Sequence, residues 1–226
     1  MDWNDDGKLD LIAGDTTGNV TLFLNIGTKE QPVLAAGVRV EADGKPIAAT
    51  RQTYKAVNGK VQADKTVEGS HPLAEVYSKI HMADWDGDGL RDLLVGHNNT
   101  IVFYRNRGSA SQPRLQAPMK LECPEGNFPM RPSPYVVDWD GDGKRDLLVG
   151  MEQPKVFLYR NVGMATAPKL AKGEDLGLQA DGFQEGCRCR IEVTDWNNDG
   201  KLDLLVGNFR GGRGTPGGDI WLFLRK

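Results

Sequence analysis

The sequence predicts an all-β chain: a β-propeller of four-stranded antiparallel blades, with four blades recognisable. Three observations carry that reading. One segment recurs four times, as DWNDDGKLDLIAG (2–14), DWDGDGLRDLLVG (84–96), DWDGDGKRDLLVG (138–150) and DWNNDGKLDLLVG (195–207). Each copy is followed by a second apolar run, VTLFLN (20–25), IVFYRN (101–106), VFLYRN (156–161) and IWLFLR (220–225). Glycine and proline number 28 and 12 of 226 residues, and chain-reversing residues in that number favour many short elements with tight turns.

Each unit reads as four strands in order. The runs before the motif, 80–83, 135–137 and 191–194, are short and partly β-branched. The runs after it, 93–95, 147–149 and 204–206, are continuously apolar and end at glycine. The third run alternates, with Val20, Leu22 and Leu24 on one face and Phe23, Tyr104, Tyr159 and Phe223 forming a column on the other. Three copies continue into Asn-x-Gly (Asn25/Gly27, Asn106/Gly108, Asn161/Gly163) and then Pro-x-Leu five residues past the glycine. A weaker fourth strand follows, as in 115–121. No segment keeps a 3.6-residue apolar period with caps. Units of this size match four-stranded propeller blades.

The copies start 82, 54 and 57 residues apart, so the first carries an insertion. The expected blade units are about 1–43, 78–122, 132–175 and 189–226 of one propeller domain, with the insertion at about 44–75. It is polar and is expected to form a surface loop or hairpin. Copy 1 lacks the strand before its motif and copy 4 the strand after its third run, which leads to the expectation that further blades and an export signal lie upstream.

Composition narrows the function classes. At 39% apolar and 26% charged, the chain has material for a globular core. A formal charge of −3 without long charged blocks gives no reason to expect nucleic-acid binding. No apolar stretch is long enough for a membrane-spanning helix. The cysteines, Cys123, Cys187 and Cys189, are too few for a disulfide scaffold.

The chemistry sits in the motif Asp-x-Asp/Asn-x-Asp-Gly-x-x-Asp. Its four sets are Asp2, Asn4, Asp6 and Asp10; Asp84, Asp86, Asp88 and Asp92; Asp138, Asp140, Asp142 and Asp146; and Asp195, Asn197, Asp199 and Asp203. Ca²⁺ takes six to eight oxygen ligands, and side chains at positions 1, 3 and 5 converge when the chain curls around one point. Position 6 must turn sharply with positive φ, which glycine adopts at little cost. Position 7 (Lys8, Leu90, Lys144, Lys201) is expected to offer its backbone carbonyl, and position 9 to close the site. Up to four Ca²⁺ are expected, one per loop. This is not an EF-hand, which closes with Glu at position 12 and continues into a helix; position 12 here is Ala13, Val95, Val149 or Val206. The four nine-residue loops hold 15 of the 31 acidic residues and 5 basic ones, and carboxylates so crowded repel unless a cation neutralises them.

These segments resemble the calcium-binding repeats of the FG-GAP/VCBS class, which build the β-propeller of integrin α subunits and of many secreted bacterial proteins. The Phe-Gly and Gly-Ala-Pro signatures are missing, so the copies read as the bacterial VCBS variant, and the integrin's ligand-binding function is not carried over. The resemblance implies the propeller fold, Ca²⁺ between the first two strands of a blade, and an extracellular, periplasmic or cell-surface location. Relatives commonly have more blades, often seven.

No catalytic motif is present. His71, His81 and His97 are unmatched between copies and are assigned no catalytic or zinc role. Trp3, Trp85, Trp139 and Trp196, at motif position 2, are expected to pack between blades. The glycine-rich run 207–219 replaces a short turn, and Arg210 and Arg213 within it are candidates for a ligand loop. The favoured function is a non-enzymatic, calcium-stabilised module for extracellular binding or scaffolding, with a protein or glycan ligand. The alternative is a carbohydrate-active propeller, a lectin or part of a polysaccharide-cleaving enzyme, which would show a cluster of unmatched acids, His, Tyr or Arg.

Overall fold

The computed structural model describes residues 1–48, 50–68, 76–210 and 217–226. The chain is all-β, arranged as successive small antiparallel sheets that stack like propeller blades. The first sheet holds β1 (Leu11–Gly14), β2 (Val20–Phe23) and β3 (Val38–Arg39). Two hairpins follow, β4 (Glu41–Ala42) with β5 (Lys45–Pro46) and β6 (Thr50–Val57) with β7 (Lys60–Glu68). The second of these lies within the insertion read from the sequence. Ile47, between the hairpins, is buried, so the start of that polar segment is tied to the core.

The second sheet holds β8 (Lys79–Ala83), β9 (Asp92–His97), β10 (Thr100–Tyr104) and β11 (Met119–Lys120). The third holds β12 (Ser133–Val137), β13 (Asp146–Gly150), β14 (Val156–Tyr159) and β15 (Glu174–Asp175). The fourth holds β16 (Cys187–Thr194), β17 (Asp203–Arg210) and β18 (Gly217–Phe223). Among the described residues, the two inner sheets therefore have all four expected strands, and the outer two have three each.

Stacking explains why the second strand of the two inner blades reads as an unbroken apolar run. In β13, Leu147 and Val149 pack towards the second sheet, with Leu94, Ile101 and Phe103. Leu148, between them, packs the other way, with Leu204 and Val206 of the fourth sheet. A strand buried on both faces needs apolar residues at every position. The glycine that closes this run has a steric reason in the first three blades. A Cβ on Gly14, Gly96 or Gly150 would collide with the backbone carbonyl of Ser78, Pro132 or Cys189, the start of the next sheet.

The Asn-x-Gly and Pro-x-Leu signatures form one turn. The Asn106 Oδ1 accepts from the Gly108 and Arg114 backbone N–H groups, both at 2.9 Å, and Asn25 and Asn161 do the same in their blades. The three cysteines are free.

Candidate metal centre

The four Asp loops share one hydrogen-bond plan. The position-1 carboxylate accepts from the position-6 N–H at 2.9–3.0 Å, as Asp2 does from Gly7, Asp84 from Gly89, Asp138 from Gly143 and Asp195 from Gly200. The position-5 carboxylate accepts from the position-7 N–H at 2.9–3.0 Å, by Asp6, Asp88, Asp142 and Asp199. Position 6 has positive φ in every loop, 82°, 88°, 83° and 83° for Gly7, Gly89, Gly143 and Gly200. Position 4 is left-handed as well, at Asp5, Gly87, Gly141 and Asn198. The sequence reading missed this second reversal, although its signal was visible: only Asp, Asn and Gly occupy the position, and these tolerate such a backbone best.

Position 9 has a further job. Asp92 Oδ2 accepts from the Trp85 N–H at 3.1 Å, and its Oδ1 accepts from the Asn106 N–H at 2.8 Å. Asp10, Asp146 and Asp203 repeat the pair, with Trp3 and Asn25, Trp139 and Asn161, and Trp196 and Arg225. These carboxylates are buried and pin the loop to the end of the blade's third strand. Burial pushes the Asp92 carboxyl up to about 7, against the opposing pull of its two backbone hydrogen bonds.

Asp84, Asp86 and Asp88 form one group whose oxygens lie within 4.8 Å of one another, and Asp138, Asp140 and Asp146 form another. Position 3 carries the clearest mark of a missing partner. Asn4 Oδ1 and Asp86 Oδ1 are buried without a hydrogen-bond partner. Asp86 is only 5% exposed, and burial, with the neighbouring Asp88 charge, raises its pKa despite the Arg105 guanidinium. A buried oxygen left unpaired costs free energy unless an ion or water meets it. The donor set is all oxygen, which suits a hard cation such as Ca²⁺ rather than zinc.

The tryptophans divide. Trp85 and Trp139 are buried between sheets and Trp3 is partly buried, but Trp196 is 58% exposed. Its side faces no further sheet among the described residues. Of the candidate ligand loop, Arg210 pairs with Asp219 at 3.0 Å, and Arg213 lies outside the described residues.

The first strands of three blades bring together polar residues that the repeats do not share. His81 of β8 stacks on Tyr135 of β12 with ring centres 4.3 Å apart, and Tyr135 donates to Glu192 of β16 at 2.9 Å. Nearby, Lys79 donates to the Arg131 carbonyl, and Arg131 pairs with Glu152 at 3.1 Å and lies over the Tyr77 ring. Burial pushes the His81 imidazole down to about 4, leaving it neutral near pH 7.

The profile of the FG-GAP-like repeat family matches residues 84–149 and 138–206, together more than half of the chain and three of the four Asp loops. The chain belongs to the FG-GAP-like repeat family. Such repeats serve binding or scaffolding, generally without catalysis, and are commonly extracellular or surface-exposed. A search of curated proteins returned no match. Among the described residues, no helix is long and apolar enough to cross a membrane.

Proposed function

We propose that the chain is a calcium-stabilised, non-enzymatic repeat module that acts in extracellular binding or scaffolding. Each loop would hold one Ca²⁺ through its position-1, 3, 5 and 9 side chains and its position-7 carbonyl. The ion would supply a positive centre that neutralises converging carboxylates and ties the loop's ends together. The observation that carries this reading is the buried, unpaired oxygen of Asp86 at position 3, converging with Asp84 and Asp88; its counterpart Asn4 Oδ1 is likewise buried and unpaired. Family membership supports the binding role and the location outside the cytoplasm.

Because Ca²⁺ would bind the folded loops and not the unfolded chain, it raises the melting temperature by mass action. Melting curves in millimolar CaCl₂ and in EGTA test this: the calcium curve shifts upwards, and superimposed curves would refute the metal reading.

The group formed by His81, Tyr135, Glu192 and the surrounding cations favours a second reading, a carbohydrate-binding propeller. A glycan array decides it. Binding that is lost in Tyr135→Ala while calcium-dependent stability persists supports a lectin, and a blank array supports the scaffold.

A further inference from the structure

The four loops differ at position 3, and the difference is matched elsewhere in the blade. Loops two and three carry Asp there, Asp86 and Asp140, and their third apolar run ends in Arg105 or Arg160. Loops one and four carry Asn4 and Asn197, and the equivalent residues are Leu24 and Leu224. The extra carboxylate thus comes with an arginine, and the amide comes with a leucine.

The structure joins the two positions. Arg105 Nε lies 2.6 Å from Asp86 Oδ2 and its Nη2 lies 3.1 Å from Asp88 Oδ2, so the guanidinium spans positions 3 and 5. Arg160 Nε lies 3.4 Å from Asp140 Oδ2, a looser contact, while its Nη1 donates to Glu174 Oε2 at 2.6 Å and holds the guanidinium beside the loop. Each arginine immediately precedes the asparagine whose N–H is held by the position-9 aspartate, so the pin that fixes the loop also aims the arginine at it. Loops two and three share another arginine at position 8, which provides a contrast. Arg91 reaches the Asp2 carbonyl of the first loop, not its own position 3.

A guanidinium keeps its charge at any ordinary pH and offers donors in one plane. It can offset one carboxylate charge, but it cannot take six to eight oxygens as Ca²⁺ does. Counting positions 1, 3, 5 and 9 with this residue, each of the four loops carries the same formal charge, −3. Arg105 Nε meets Asp86 Oδ2 as an ion pair without hydrogen-bond geometry, so neither Asp86 oxygen has a hydrogen-bond partner, and Oδ1 has no cation beside it either.

We propose that Arg105 and Arg160 are tethered counter-cations that hold loops two and three in shape without metal and compete with Ca²⁺ for the position-3 carboxylate. Loops one and four have leucine at that point and, among the described residues, no cation at position 3; in loop one the Lys8 ammonium meets only the position-5 carboxylate, Asp6, at 3.2 Å, as Lys144 meets Asp142 at 2.7 Å in loop three. The proposal rests on the calcium reading for its second half only. The first half concerns the metal-free protein.

The test uses the full chain and three variants: Arg105→Leu/Arg160→Leu, Arg105→Lys/Arg160→Lys, and the leucine pair with Asp86→Asn/Asp140→Asn added. Melting in EGTA and calcium titration calorimetry are the readouts. The leucine variant melts lower in EGTA, yet its two altered sites bind Ca²⁺ roughly tenfold more tightly, the effect of removing a unit charge a few ångströms from a divalent ion in a partly solvated site. The lysine variant stays near wild type in EGTA. Adding the two asparagines restores the EGTA melting temperature, because the unpaired carboxylate is gone. Weaker calcium binding in the leucine variant, or an unchanged EGTA melting temperature, overturns the proposal. A wild type that binds no calcium refutes the metal reading and the competition, while the EGTA series still judges the counter-cation role.

Discussion

Trp139 and Trp196 occupy the same position of the same loop, and their backbone N–H groups are held by equivalent aspartates at 3.1 and 3.0 Å. Trp139 is 8% exposed and Trp196 58%. Gly150 and Gly207 make the same contrast. A Cβ on Gly150 would strike the Cys189 carbonyl of the next sheet, whereas one on Gly207 would find nothing closer than the Arg190 Cβ at 4.0 Å. The third and fourth blades therefore share the loop and differ in what lies against them. The loop's shape is a local property, fixed by hydrogen bonds within nine residues and to the end of the third strand. Burial of the tryptophan and crowding of the glycine come from a neighbouring blade.

Paired substitutions can break that comparison. The largest difference is expected at the tryptophans. Trp139→Ala should cost about 3–5 kcal/mol, as for a large buried aromatic, and Trp196→Ala under about 1 kcal/mol. Urea unfolding measures both, and equal costs would mean that the exposed face of the fourth sheet is covered in solution.

The aspartate pins should behave alike. Asp146→Ala and Asp203→Ala each strand two backbone N–H groups, at a cost of about 2–4 kcal/mol in either blade. A neutral Asp203→Ala would show that the loop is not locally determined. The smallest pair is Gly150→Ala, destabilising by about 1–3 kcal/mol through overpacking, against Gly207→Ala, neutral or slightly stabilising.

Much of this was legible in the sequence because a repeat shows which positions a fold reuses. The strand runs, the glycine at position 6 and, in loops two and three, the grouping of carboxylates follow from spacing and residue type. Even the weak fourth strands appear, as two-residue pairings at 38–39, 119–120 and 174–175. The pinning role of Asp10, Asp92, Asp146 and Asp203 was not legible, since a carboxylate on a ligand pattern looks the same whether a metal or a backbone N–H meets it. The exposure of Trp196 was hidden for the opposite reason. Its local sequence matches its buried counterparts, and the neighbour that differs is remote in the chain. The meeting of His81, Tyr135 and Glu192 was equally invisible, because it depends on how three first strands come side by side.

The central claim, that the Asp loops are calcium sites, is tested most directly by counting bound ions. Equilibrium dialysis against ⁴⁵Ca²⁺ should give up to four ions per chain, with Asp88→Ala, Asp142→Ala and Asp199→Ala each losing about one while the other sites stay filled. A folded wild type that retains no calcium at millimolar concentration, or a count that none of the three substitutions lowers, would contradict the account.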